Sequence, residues 1–377
     1  MATLNIAEGR AAFEARDARW NDLLDASGTP SFFLRPPWLA HWSAHTQGRR
    51  LLLATYEERG RWIAGLPLAL GRGRVGRWTI DKLEIAGAPW FDQIAVPAVD
   101  DCAREAFLAT LLEWCQRELS SWTLCELREI AAEDDSARAI ERAARACGLP
   151  LRARVCSRAP YVDLSGVDGS GGEVHGPSKN LRSQLRRSEK RLAERGAIEL
   201  AFARPSEREC DALLDEIAAV EAQSWKGSTG VLQPSGGGAF FRPLVPELAR
   251  ARAWAVGTLR VSGTLVAYHW GFVEGRRFLS YNLAQLPQFD ELGPGTFLLQ
   301  HMVERARALD LDRVDASRGS LSAPHALARY GGPVREHLQM LVYNQNAAGR
   351  VLHATKEVLV PSLARLRRRF KAQERGP

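Results

Sequence analysis

The chain has 377 residues, 45% of them hydrophobic, and a formal net charge of +7. That is enough apolar material for two ordinary domains or one large one, and it excludes a disordered chain and a small disulfide-held scaffold. Apolar runs such as 63–70 fall well short of a bilayer span, and the opening MATLNIAEGR has no secretory apolar stretch, so a cytoplasmic protein is expected.

In chain order, a helix is expected over 8–24, then an aromatic stretch at 31–45 that turns helical after Pro37. His41 and His45 have a metal-ligand spacing, but without an adjoining Glu or a third ligand they are read as packing or surface residues. A hairpin over 51–70 follows, with a strand at 82–86, a helix at 102–119, a strand at 122–127, a helix at 135–147 and a strand at 151–155. Six dispersed cysteines with no C-x-x-C pair point to reduced thiols, and no metal is expected.

Residues 165–178 (SGVDGSGGEVHGPS) read as a linker. The excess charge is local: 179–195 and 356–377 each hold seven basic against two acidic residues, over a net acidic remainder. In the first segment Leu181, Leu185 and Leu192 mark one helix face, with Lys179, Arg182, Arg186 and Lys190 beside it. Such a stripe suits solvent or an anionic partner, and without interleaved aromatics nucleic acid is not expected. A helix at 211–223 runs into Ser224-Trp225-Lys226-Gly227, where Trp225 is read as a packing residue, and Gly236 to Gly238 read as a mobile flap.

Runs at 256–261, 265–273 and 278–284, joined at Ser262-Gly263 and Glu274-Gly275, predict a three-stranded meander. Gly293-Pro294-Gly295-Thr296 then delivers the chain to a helix, followed by strands at 313–316 and 337–343. A glycine-bearing helix N-terminus offers backbone N–H groups and a positive dipole to phosphate. The order over 51–155 matches that over 256–343, which predicts a structural repeat, the alternative being one unrelated α/β domain. The first copy has Asp100-Asp101 where the second has glycines, so a phosphate-bearing donor is expected in the second copy alone.

That order, with 178–192, EAQSWKGSTG at 221–230, Phe240-Phe241, 263–267, Gly293-Pro294-Gly295 and DASRGS at 315–320, resembles the GNAT acyltransferases. Within them it is similar to the CelD/BcsL-like, FemAB-related acetyltransferases of cellulose and exopolysaccharide loci. The resemblance implies an α/β (α+β) protein of two tandem GNAT-like domains, each a mixed, mostly antiparallel sheet flanked by helices. The expected limits are 1–164 for a degenerate first domain, 165–178 for the linker, 179–355 for the acyltransferase domain and 356–377 for a basic tail.

The resemblance further implies direct acyl transfer from acyl-CoA, acetyl-CoA foremost, to an amine or hydroxyl of a sugar or cell-envelope precursor, the thioester lying where two strands part. Leu283, Ala284, Gly293, Gly295 and Thr296 would then contact the donor, and Trp225, Lys226, Arg318 and Tyr330 the acceptor. The candidates for general base are Asp315, His269 and Tyr281. The chain departs from the family where an aromatic-lysine pair is expected after DASRGS; Arg329-Tyr330 is its nearest approximation. A FemAB-type aminoacyl-tRNA-dependent transferase and a catalytically silent scaffold binding an anionic polymer stand as alternatives. The tail, with Leu363, Leu366 and Phe370 among Arg365 and Arg367 to Arg369, reads as a helix suited to an anionic membrane surface or as a plain charged terminus.

Overall fold

The computed structural model describes residues 2–29, 31–76, 78–119, 121–165, 176–323 and 325–359. Two compact units result: Met1–Val155 with Leu338–Pro377, and Cys156–His337. The first unit begins with β1 (Thr3–Glu8), α1 (Arg10–Glu14), α2 (Ala18–Ala26) and α3 (Pro36–His45). It continues through β2 (Arg50–Glu58), β3 (Arg61–Val75), β4 (Trp78–Ile85), α4 (Asp101–Glu118), β5 (Leu124–Ala131) and α5 (Asp135–Ala146). After β6 (Leu151–Asp163) come α6 (Lys179–Ala193), β7 (Ile198–Ala203), α7 (Glu207–Gln223) and α8 (Gly238–Arg250). The meander β8 (Trp254–Val261), β9 (Thr264–Glu274) and β10 (Arg277–Gln285) follows, then α9 (Pro294–Arg305), β11 (Arg313–Asp315), β12 (Val334–Tyr343) and α10 (Ala347–His353).

The repeat is visible in the pairing. β1-β2-β3-β4 are joined antiparallel and β4-β5 parallel. β7-β8-β9-β10 are joined antiparallel and β10-β11 parallel in the same way. Local chemistry explains much of the second copy. Ser206 and Glu209 form a capping box at the start of α7. Ser262 and Gly263 both take positive φ, 49° and 79°, the left-handed geometry a tight hairpin requires. Trp254, Trp270, Phe240, Phe241 and Phe272 are fully buried between β8, β9 and α8.

The last strand of each copy is exchanged. Residues 161–163 of β6 pair antiparallel with β11, within the second unit. Residues 338–343 of β12 belong to the first unit, where the Gln339 amide donates to Glu126 and Leu341 and Tyr343 pack on Ile80, Leu124 and Leu352. The units therefore part at 155/156 and 337/338, where the sequence suggested 164 and 355, because β6 and β12 each carry residues of both.

Several expectations are corrected locally. Residues 3–8 form a strand, and Gly9, at φ 86°, separates it from α1, so no helix spans 8–24. The strand begun at 151 runs on to Asp163. Residues 238–250 are helical, and 230–238 is not a loose flap: a Cβ at Gly236 would stand 2.0 Å from Gly230 O. Residues 166–175 of the linker and 360–377 of the tail lie outside the described residues.

Candidate active site

The parallel pair β10-β11 holds for Arg277↔Arg313, Phe278↔Val314 and Leu279↔Asp315, and there β11 ends. β10 continues to Gln285 without that neighbour, and its register on β9 shifts between Ser280 and Asn282. A bulge at this point re-aims side chains beside the gap. Leu283 is half-buried and Ala284 buried along this stretch of β10.

On one face of the bulge, His269 Nε2 lies 2.5 Å from Ser280 Oγ, both buried. Burial, with His325 and Lys226 nearby, pushes the His269 imidazole down to about 3, so the ring is neutral near pH 7. Tyr281 packs its ring on Phe241, Trp270 and Phe272 at 4.9–5.4 Å. An aromatic cluster, rather than an acceptor, surrounds that ring.

A polar network that the sequence reading missed occupies the other side. Glu221, 0% exposed on α7, accepts hydrogen bonds from Asn282 Nδ2 (3.0 Å), Tyr268 OH (3.1 Å) and the Leu232 N–H (2.7 Å). Lys226 Nζ donates to Asn282 Oδ1 and lies 3.8 Å from Glu221 Oε1. Burial pulls the Lys226 ammonium down to about 8 against the opposing pull of Glu221. The same burial, with the Glu221 charge, pushes the Tyr268 hydroxyl far up. Gly230 is fixed by this arrangement, since a Cβ there would stand 2.3 Å from Glu221 Cδ. One signal was available: Cys210, Leu214, Ile217 and Glu221 share the helical spacing of the buried stripe, placing a carboxylate on an apolar face.

Trp225 corrects the packing expectation. Its side chain is 63% exposed, and its ring lies 6.0 Å from the Lys226 ammonium.

Around the glycine loop, Gly293 takes φ 68° and caps α9. Its N–H donates to Asp290 O (3.1 Å), and the Gly295 N–H donates to Gln285 Oε1 (2.9 Å), while Gln285 Nε2 donates to Asp290 Oδ1. Two of the three amides expected to face phosphate are thus engaged by the protein itself, leaving Thr296 of that set. Beside α9, Arg182, Arg186, Glu189, Leu185, Phe297 and Glu304 line a solvent-open groove of about 1020 Å³. The basic stripe therefore meets carboxylates there, which weakens its pull on a polyanion.

At the end of β11, Asp315 is 0% exposed; its Oδ1 accepts the Ser317 N–H (2.8 Å) and its Oδ2 meets Arg335 Nη1 (2.9 Å). Both oxygens serve the protein's own groups. Ser317 takes a left-handed φ of 58°, and its buried Oγ finds no hydrogen-bond partner among the described residues. Arg318 is exposed next to it, and Tyr330 is buried with its hydroxyl on Gln300 Oε1 (2.7 Å), away from solvent. His41 and His45 touch through His45 Nδ1 and His41 O at 2.7 Å.

Residues 179–325 match the family model described as acetyltransferase (GNAT) domain. The chain carries a GNAT acetyltransferase domain. The fold of the whole chain is shared with the solved structure of FemX, at 11% identity, a TM-score of 0.60, and coverage of 93% of this chain and 100% of that one. It is shared also with the C-terminal domain of a putative lysylphosphatidylglycerol synthetase from Agrobacterium fabrum, at 13% identity, a TM-score of 0.52, and coverage of 91% and 96%. L-PGS from Bacillus licheniformis is similar at 13% identity, a TM-score of 0.50, and coverage of 93% and 98%. No curated protein matches the chain. The GNAT domain begins at α6 and includes the bulge of β10, the glycine loop and the turn after β11, so every group described around the gap belongs to it or borders it. Its partner copy in the first unit differs at the matching helix start: Asp100 caps α4 with its own carboxylate, accepting the Ala103 N–H at 2.8 Å.

Proposed function

We propose that the protein transfers an acyl group, acetyl foremost, from acyl-CoA to an amine or hydroxyl of a sugar or cell-envelope precursor. The observation that carries this reading is the parting of β10 from β11 after Leu279↔Asp315. It leaves that edge of β10 without a strand neighbour at 280–285, ahead of the glycine-led helix and beside Lys226, which reaches Asn282. A thioester carbonyl laid along that edge meets N–H donors already fixed in a strand, which stabilise the charge that develops on its oxygen. The phosphates fall toward Thr296 and the dipole of α9, with Gln285 the side chain that yields. The acceptor enters past exposed Trp225 and attacks directly, so no covalent enzyme intermediate is required. Six free cysteines accord with a cytoplasmic setting.

Calorimetric titration with acetyl-CoA tests the reading, with an expected Kd on the order of 1–100 µM, the usual range for enzyme substrates. Gly295→Asp adds a negative charge beside the proposed phosphate position. Its Cβ meets only the flexible end of Gln285, at 2.8 Å, so the variant folds and loses binding. If acetyl-CoA and longer acyl-CoAs fail to bind the folded parent, acyl-CoA is not the donor.

A further inference from the structure

We propose that Lys226 is the group that takes the acceptor's proton during acyl transfer, and that Asn282 and Glu221 are the positioning residues that hold it for this step. The inference rests on the acyltransferase reading above and adds to it a catalytic residue. Lysines on surface turns ordinarily extend into water, where their methylenes and charge are best solvated. Lys226 does the reverse. Ser224 Oγ donates to Glu221 O (2.7 Å) and accepts the Lys226 N–H (3.2 Å), and this tight turn points Nζ at β10 while Trp225 faces out. Nζ reaches Asn282, just past the place where β11 stops, so it stands at the edge of the gap proposed for the thioester.

The network fixes more than position. Asn282 gives its Nδ2 to Glu221, and so presents Oδ1 to Lys226. Glu221 accepts from Asn282, Tyr268 and the Leu232 N–H, and its Oε1 forms a longer ion pair with Nζ at 3.8 Å. Its negative charge favours a proton on Nζ, against the effect of burial. The titratable groups nearest Nζ in this network are Glu221 on α7 and, through Asn282, Tyr268 on β9, while the neutral His269 lies on the opposite face of the sheet. Burial dominates their sum and brings Nζ to about 8, so a useful fraction is neutral near neutral pH. The other candidates are engaged: His269 holds Ser280, Asp315 holds Ser317 and Arg335, and Tyr281 lies in its aromatic cluster.

The step balances. As the acceptor's nitrogen or oxygen bonds to the acyl carbon, its proton passes to Nζ, the carbon–sulfur bond breaks, and CoA leaves as thiolate. The lysine ammonium then returns the proton to the thiolate, so acyl-S-CoA and H–X become acyl-X and HS-CoA.

The protein is treated with acetic anhydride across pH 6–11, and acetylation of Lys226 is read by mass spectrometry. Lys226 is expected to titrate near 8, below the ordinary lysine range. Release of CoA thiol from acetyl-CoA, with water as the probe acceptor, is expected to rise with pH through the same midpoint. Lys226→Arg should lower that release about 100-fold with acetyl-CoA affinity unchanged. Asn282→Asp, which adds a charge beside Nζ, should move the midpoint up, and Glu221→Gln should move it down; a merely structural lysine would show neither shift. Lys226 titrating at the ordinary lysine value of about 10.4, or Lys226→Arg releasing thiol as fast as the parent, overturns the proposal while acetyl-CoA binding stands. A folded parent that binds no acyl-CoA overturns the donor reading and the step built on it together.

Discussion

Asp315 Oδ2 and Arg335 Nη1 meet at 2.9 Å, and both side chains are buried. The pair ties the end of β11 to β12 inside the second unit, and Arg335 also lies over the Tyr161 ring of β6. Removing one partner of a buried pair strands the other charge, which costs about 3–5 kcal/mol. Asp315→Ala is therefore expected to shift the urea midpoint by that amount, and Asp315→Ala with Arg335→Ala by less than the sum of the singles. A midpoint shift below about 1 kcal/mol would show that the pair does not hold this turn.

His269 makes a pH prediction with a definite sign. Its folded-state value, about 3, lies below the ordinary 6.5. Above pH 6.5 the ring is neutral folded or unfolded, and its contribution is fully present. As pH falls from 6.5 toward 3 the unfolded chain binds a proton that the folded one refuses, and stability is lost. His269→Gln, which can keep a bond to Ser280, should flatten the urea midpoint between pH 6 and 4 relative to the parent. An equal slope in both would place the acid sensitivity elsewhere.

Trp225 separates stability from function. At 63% exposure its removal leaves no cavity, so Trp225→Ala should change stability by less than about 0.5 kcal/mol. On the proposed acceptor path, the same change should raise KM for the acceptor about 10-fold with kcat nearly kept, the signature of lost uniform binding. A cooperative loss of fold would contradict the exposed placement.

The exchanged strands predict how fragments behave. A 179–355 fragment, the domain suggested by sequence, lacks the β6 residues that pair with β11. It should melt without a cooperative transition, in contrast to the full chain. A sharp calorimetric peak from that fragment would mean the pairing is dispensable.

What could be read from the sequence was local. β8, β9 and β10 announce themselves by apolar runs between Ser262-Gly263 and Glu274-Gly275, whose positive φ values the glycines permit. The helix after Gly293 is marked by its own punctuation. β1 and β7 do alternate, through Leu4 and Ile6 and through Ile198, Leu200 and Phe202, but over only six residues each, and the exchange of β6 and β12 depends on pairing between residues far apart in the chain. The Glu221 network was hidden because Glu is a good helix former, and only its place behind Leu214 and Ile217 marks it as buried. Lys226 was picked out by resemblance, but nothing local told that its amine points inward.

The exchange also bears on how the protein is made. During synthesis the first 155 residues leave the ribosome long before 338–343 exist, so β5 must wait with an unpaired edge for the strand that lies beside it in the finished fold. Completion of the first unit is thus tied to translation of the second, and the nascent chain is a natural client for chaperones that shield open strand edges.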